Sequence, residues 1–254
     1  MSFSNTGLYC VGAPLDRTAV GALQRGCKPR LTIIEPTTGE EELHYVPIPA
    51  SNGGGYDDLA FTRSGTFISA SNPTLNGDGV NTHRAIGIIR VDDDDSPVVT
   101  TVLRGNAMAT DRTTGERVQL NLTDPDSLSI DPNTGEVVLN DQGDSQLIFM
   151  SSAGDEGEVS RLLLQPAGTN APVVDETTWT TSASGHFLVA DHADPGAIWV
   201  IHKTGGFTQG QAYVGVANDS PTFTSTLATL NTSTGDITPV VTDFASPKGI
   251  IFIE

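Results

Sequence analysis

Cationic side chains are scarce in this sequence. Its 254 residues include 13 lysines and arginines against 31 aspartates and glutamates, and the formal net charge is −18. A field of that sign repels the phosphates of nucleic acids and of anionic membranes, so we expect neither as a partner. The lysines are Lys28, Lys203 and Lys248. Such a chain attracts cations, including divalent metals, although acidity also serves solubility alone.

Long apolar runs and helical patterns are missing as well. No segment approaches the roughly 20 apolar residues of a transmembrane helix. The first ten residues, MSFSNTGLYC, lack the basic and apolar regions of a signal peptide. Serine, threonine and glycine are abundant instead, which favours a β-rich protein.

Cysteine is nearly absent, which limits the chain to one disulfide. Cys10 and Cys27 would close a short loop, adding about 3 kcal/mol of stability if oxidised, or remain two free thiols. We expect a bridge in the exported protein, because it would hold the N-terminal strand in place. With N-x-S/T sequons at Asn121, Asn218 and Asn231, this favours an extracellular or periplasmic location.

The motifs of several enzyme classes are also missing. There is no G-x-S-x-G elbow, no H-E-x-x-H, no P-loop and no cysteine-rich metal motif. Catalysis by a nucleophilic serine therefore has no local sign.

A hairpin-like segment occurs three times. The copies are DDLAFTRSGTFISASNP (Asp57–Pro73), DSLSIDPNTGEVVLNDQGD (Asp126–Asp144) and DETTWTTSASGHFLVADHAD (Asp175–Asp194). Each has a polar lead-in, a short strand, a turn that ends in glycine and a second apolar strand, which predicts a β-hairpin. The glycines in the shared slot, where the turn needs a positive φ, are Gly65, Gly135 and Gly185.

A fourth copy is divided between the two ends of the chain. SPKGIIFIE (Ser246–Glu254) matches the first strand, and SNTGLYCVGAP (Ser4–Pro14) supplies the turn and the second strand. Pairing of Leu8–Val11 with Ile250–Ile253 would close a circular array and remove exposed sheet edges. The sequence therefore predicts one all-β domain over residues 1–254, a β-propeller closed by its terminal strands. It has four clear repeat units, and we expect five blades, with four or six as alternatives.

The hairpins place the acidic residues at one edge. The start of the first strand and the end of the second share an edge in an antiparallel hairpin, so both would ring one mouth of the channel. The lead-in positions are Asp57, Asp126, Asp175 and Lys248, and Asn72, Asp141, Asp191 and His192 lie behind them. Facing carboxylates repel by roughly 1 to 4 kcal/mol per close pair, so they need a cation, Lys248 or raised pKa values.

The repeats resemble the calcium-binding propellers of the gluconolactonase and regucalcin family and, more loosely, the NHL-repeat propellers. The residues that carry the resemblance are DPDSLSIDPNTGEVVL and DETTWTTSASGHFLVADHAD. The resemblance implies a lactone-hydrolysing propeller with Ca²⁺ on acidic lead-in side chains, here Asp57, Asp126 and Asp175. Lys248 departs from that pattern. It should point away from a bound metal, or pair with Asp57 or Asp175 in a metal-free site.

Three functions remain open. The first is hydrolysis of a lactone or related ester, with Asp175, His192 and Lys248 as catalytic residues and Ca²⁺ polarising the carbonyl. The second is a propeller that binds a small molecule or a protein without chemistry. The third is a shape-selective cyclase or isomerase of a biosynthetic pathway.

The ordinary structural roles of these residues also remain open. An aspartate before a strand can bond turn N–H groups, His192 can be a surface histidine, and Trp179 can pack between blades. If the mouth binds a small molecule, the substrate contacts are Asn72, Asp141, Asp191 and Trp179. We expect a monomer.

Overall fold

The computed structural model describes residues 2–4, 7–12, 30–34, 37–47, 55–71, 73–91, 97–153, 158–168, 171–192, 196–217 and 225–254. These residues form strands and no α-helix. The first eleven strands are β1 (Ser2–Ser4), β2 (Gly7–Gly12), β3 (Arg30–Ile34), β4 (Glu41–Tyr45), β5 (Gly55–Thr62), β6 (Gly65–Ser71), β7 (Arg84–Val91), β8 (Pro97–Arg104), β9 (Met108–Asp111), β10 (Arg117–Gln119) and β11 (Pro125–Ile130). The others are β12 (Val137–Asp141), β13 (Gln146–Met150), β14 (Ser160–Leu163), β15 (Val174–Trp179), β16 (His186–Asp191), β17 (Ala197–Ile201), β18 (Ala212–Val216), β19 (Thr226–Leu230), β20 (Ile237–Val241) and β21 (Pro247–Ile253).

The strands form five sheets within the described residues. Two follow the chain directly, β1-β2-β3-β4 and β5-β6-β7-β8. The others have the orders β10-β9-β14-β13-β12-β11, β15-β18-β19-β20 and β17-β16-β21. Antiparallel meanders of about four strands are the blades of a propeller. The prediction of an all-β β-propeller is confirmed, with a number of sheets inside the predicted range.

The chain divides into two compact units. One consists of Met1–Ala107, Gln119–Asp126 and Ser152–Glu156, and the other of Met108–Val118, Ser127–Ser151 and Gly157–Glu254. The first unit has its own core, in which Leu31 and Tyr56 pack with Leu59 and Ile68. A single domain over residues 1–254 stays a prediction.

Two hydrophobic clusters of the second unit lie within the described residues. Phe149, Trp179 and Val214 belong to the first, among strands of the third and fourth sheets. The second is aromatic and centres on Phe187, whose ring lies 5.2 Å from that of Phe252. These rings join β16 to β21, and the burial of such side chains is the main stabilising term of the unit.

Two of the three predicted hairpins are confirmed. In the Asp57–Pro73 segment β5 pairs with β6, and in the Asp126–Asp144 segment β11 neighbours β12. The shared glycine slot is confirmed in all three copies, with φ of 149° at Gly65, 75° at Gly135 and 153° at Gly185. These φ values lie in the region that favours glycine.

The third hairpin and the closure were predicted wrongly. β15 pairs with β18, while β16 pairs with β17 and β21. Leu8–Val11 pairs with β3, and Ile250–Ile253 pairs with β16. The aromatic packing between β16 and β21 explains the exchange, since Phe252 faces Phe187 in this register. The sequence similarity of the repeats did not contain this information.

Three tight turns of the second unit share one sequence pattern, an Asp or Asn followed three residues later by Thr-Gly and an acid. They are Asp111–Glu116, Asp131–Glu136 and Asn231–Asp236. In each, the first side chain accepts the N–H two residues ahead, over 3.0, 2.8 and 2.9 Å. The glycines have φ of 75°, 75° and 80°. We call these the Thr-Gly turns; the pattern was visible in the sequence and was missed.

Other expectations fall outside what is described. Cys27 and Asn72 are not among the described residues, so the disulfide and the Asn72 contact stay predictions, as does the extracellular or periplasmic location. Within the described ranges, no helix is long and apolar enough to cross a membrane.

Candidate functional site

Lys248, Asp175 and Gln142 meet in the second unit. Lys248 belongs to β21, Asp175 to β15, and Gln142 directly follows β12. Lys248 Nζ donates to Asp175 Oδ1 over 2.9 Å, and Gln142 Nε2 donates to the same oxygen over 2.9 Å. The Lys248 side chain is 33% exposed and that of Asp175 17%. We call these three residues the ion-pair cluster, a fixed pair that is partly open to solvent.

A β-bulge occurs at three of the four predicted lead-in positions. The register shifts across Asp57 in β5, across Asp175 in β15 and across Lys248 in β21. A bulge adds one residue to a strand and re-aims the side chains around it. The predicted equivalence of Asp57, Asp175 and Lys248 therefore has a structural counterpart, because each of these three residues lies where its strand is irregular.

Two further polar contacts extend from β15. Glu176 Oε2 accepts the N–H of Ile250 at 2.7 Å, which satisfies a backbone donor of β21. Thr177 Oγ1 donates to Asn140 Oδ1 over 2.9 Å. Asn140 is 1% exposed, and its Nδ2 has no hydrogen-bond partner in the described part of the chain. Glu176 and Asn140 were not predicted as site residues. The signal available in the sequence was that each is the immediate neighbour of a predicted residue, Asp175 or Asp141.

Asp191 positions the segment that leads into β21. Its carboxylate is buried and accepts the N–H groups of Ser246 at 2.5 Å and Ala245 at 3.0 Å, together with Trp199 Nε1 at 3.2 Å. The N–H of His192 donates to Ser246 O over 2.7 Å, and the His192 side chain is exposed. Asp191 thus accepts backbone N–H groups, as an aspartate at a turn commonly does, and holds in place the residues that precede Lys248.

A cavity of about 540 Å³, shallow and widely open to solvent, lies beside this segment. Its lining residues are Ala190, Asp191, His192, Gly196, Ala197, Ile198 and Lys248. Two of the three predicted catalytic residues, His192 and Lys248, therefore share one cavity, and the third, Asp175, holds Lys248 by the ion pair. The cavity combines one cation with an apolar wall, which suits a small, weakly polar molecule that carries an electron-rich oxygen.

The other predicted substrate contacts have structural partners. Asp141 is 1% exposed and accepts Gln146 Nε2 at 2.7 Å. Trp179 is 4% exposed and packs in the core, the structural role considered for it. Neither is among the residues that line the cavity.

The calcium site predicted at Asp57, Asp126 and Asp175 draws on residues of both units and stays a prediction. Asp57 and Asp126 belong to the first unit and Asp175 to the second. No cluster of three His, Cys, Asp or Glu residues suited to a metal occurs among the residues described. Oxygen Oδ1 of Asp175 already accepts an ammonium and an amide, whereas calcium requires several free oxygen ligands. Lys248 points towards Asp175, as the metal-free alternative predicts.

No protein-family model matches the chain, and no curated protein matches it. Several solved structures are similar to it at low identity. A protein assigned as a 6-phosphogluconolactonase from Bacteroides uniformis is 15% identical, with 89% of this chain and 81% of that chain covered and a TM-score of 0.29. A catalytically inactive virginiamycin B lyase from Staphylococcus aureus, solved with quinupristin, is 9% identical, with 94% and 87% covered and a TM-score of 0.34. These TM-scores are low, so the fold assignment rests on the strand order of this chain and its function on the site.

Proposed function

We propose that the cavity beside Lys248 hydrolyses a lactone or related cyclic ester without a metal ion. The observation that supports this is the pairing of a held cation with an exposed histidine in one cavity. Lys248 is fixed by Asp175 at 2.9 Å, and His192 is fixed through its backbone to Ser246. Ester hydrolysis needs a positive group for the developing oxyanion and a base for water.

The reaction divides between these two side chains. His192 removes a proton from water as the oxygen attacks the ester carbonyl, and the carbonyl oxygen becomes an oxyanion beside the Lys248 ammonium. Collapse of the tetrahedral intermediate breaks the ring C–O bond, and the alkoxide takes the proton back from His192. The product is an open-chain hydroxy acid. Asp175 acts by positioning Lys248, because its Oδ1 accepts the Lys248 Nζ at 2.9 Å and is itself held by Gln142.

The test is hydrolysis of a panel of lactones, and the release of protons measures the turnover. Lys248→Met and His192→Gln should each lower kcat/KM by about 100-fold, the usual effect of removing an oxyanion donor or a general base. His202→Gln is the matched control, because His202 is exposed, follows β17 and does not line the cavity. It should leave turnover unchanged. No turnover of any lactone, with chelator or with added Ca²⁺, would remove the proposal.

Binding without chemistry is the second candidate function. It is favoured by the hydrogen bonds that already occupy the carboxylates near the cavity. Asp175 and Asp191 are both held in hydrogen bonds that serve the fold. The cavity would then select ligands by its cation and its apolar wall. Calorimetry that shows saturable binding of a lactone, lost in Lys248→Met and without turnover, would decide for this function.

A further inference from the structure

The outer strand of the β17-β16-β21 sheet presents an apolar surface. Among the described strands, β17 is the end strand of a sheet with three strands, whereas the other sheets have four or six. Its side chains are exposed on both faces, with Ile198 73%, Val200 53% and Trp199 49% accessible. Isolated apolar side chains are ordinary on surfaces, but three consecutive ones on an end strand form a template for pairing.

The corresponding end strands of the other sheets carry protecting residues. β4 begins with Glu41 and Glu42, β10 begins with Arg117, and β8 begins with a proline and ends with an arginine. β20 contains Pro239, which cannot donate to a neighbouring strand. Charge and proline at an edge prevent pairing with another chain. β17, with the sequence AIWVI, contains neither.

We propose that β17 pairs antiparallel with β17 of a second copy of this chain, so that two three-stranded sheets become one six-stranded sheet. Antiparallel pairing centred on Trp199 places Ile198 opposite the partner's Val200, and apolar residues then meet apolar residues along the strand. The two tryptophans face each other at the centre, where cross-strand aromatic pairs are favourable. The strand is therefore complementary to itself.

Charge favours a second copy over a foreign cationic partner. The formal net charge of the chain is −18, so two copies repel each other through most of their surfaces. β17 has no charged residue, and His202 and Lys203 follow it, so the strand offers an acidic second copy an apolar edge with a cation beside it. A basic partner would bind where carboxylates are exposed, and the five residues of β17 include none. The proposal departs from the expected monomer. Because Ile198 also lines the cavity, the dimer is tested by association and not by turnover.

The experiment is sedimentation velocity over a wide range of protein concentration. The wild-type chain should form a reversible dimer, because pairing of two short strands buries less area than a permanent interface. Ile198→Lys with Val200→Lys should be monomeric throughout, and Ile198→Glu with Val200→Glu should also be monomeric. An equimolar mixture of the two double variants should form dimers again, since opposite charges then face each other across the strands.

Thr238→Lys with Val240→Lys is the matched control. It places two lysines on exposed positions of β20, an end strand that already contains a proline, and should dimerise like the wild type. Melting temperatures of all variants check folding. A wild-type chain that stays monomeric at every concentration would overturn the proposal. Protection of the outward-facing β17 amides from hydrogen exchange in the monomer would also overturn it, because that edge of the strand would then not be available for pairing. A mixture that stays monomeric would overturn it as well.

Discussion

The Thr-Gly turns and the ion-pair cluster hold carboxylates in opposite ways. In a Thr-Gly turn the first side chain accepts the N–H two residues ahead, as that of Asp131 does from Asn133, and within the described residues only Asp111 adds a partner outside its turn, Arg161. In the ion-pair cluster Asp175 bonds Gln142 and Lys248, which are 33 and 73 residues away along the chain. The turns can therefore be predicted from a short sequence pattern, whereas the ion-pair cluster forms only when the strands have paired.

The two regions also differ in what they leave open. Each Thr-Gly turn is closed by a backbone bond of its own, as the N–H of Gly135 donates to Asp131 O over 2.7 Å, and Gly235 O also accepts the N–H of Gln165. The ion-pair cluster is partly exposed, and Lys248 lines a cavity. A side chain held by distant partners can face a ligand, and this difference is why the proposed function rests on the cluster and not on the turns.

The largest effect should come from a turn in which the glycine touches another strand. Gly235 has φ of 80°, and a Cβ added there would meet the carbonyl oxygen of Leu163. Gly235→Ala should lower the free energy of unfolding by about 3 kcal/mol, from backbone strain plus overlap. Gly135→Ala, with φ of 75° and open space around it, should cost about 1 kcal/mol. Equal losses in chemical denaturation would show that contact with Leu163 is unimportant.

A second effect is the acid sensitivity of the Asp111 turn. Burial, the largest single influence, raises the pKa of Asp111, but hydrogen bonds from Thr113, Thr114 and Arg161 lower it more, from 3.8 to about 2. Because the folded pKa is depressed, the stabilisation is complete above 3.8 and is lost as pH falls through about 2. It should amount to about 2 kcal/mol. The difference in unfolding free energy between wild type and Asp111→Asn should shrink accordingly on acidification, and a constant difference would contradict this.

The ion-pair cluster should contribute less than the turns. Asp175→Asn and Lys248→Met combined in a double-mutant cycle should give a coupling of about 1 kcal/mol, because the pair is partly exposed and screened by water. The coupling should fall in high salt. Zero coupling at low salt would mean that the pair does not form in solution, and the positioning role of Asp175 would be lost with it.

The smallest effect concerns Asn140 and Thr177. Asn140→Leu alone should cost about 1 kcal/mol, since the Thr177 hydroxyl loses its acceptor in a buried place. Adding Thr177→Val should bring stability back to within about 0.5 kcal/mol of wild type, because both polar partners are then apolar. Thermal unfolding of the three variants measures this. A double variant less stable than Asn140→Leu would show that Thr177 has another function in the fold.

The sequence by itself was sufficient for the all-β class, the propeller and the equivalence of the lead-in positions. These depend on short-range features: alternation of apolar residues, glycine at a positive φ and a polar residue before each strand. The bulges at Asp57, Asp175 and Lys248 show that equivalent sequence positions adopt related backbone irregularities. The Thr-Gly turns were equally predictable from a local pattern.

Only the tertiary structure decided which strands pair and which charges meet. The segments DETTW and HFLVAD look like the two strands of one hairpin, yet they belong to different sheets. The reason is that β21 packs its Phe252 against Phe187 and takes the place beside β16. That exchange brings Lys248 to Asp175. The physical reason is that local sequence specifies a strand and its faces, while the choice of partner strand depends on side-chain packing between residues far apart in the chain.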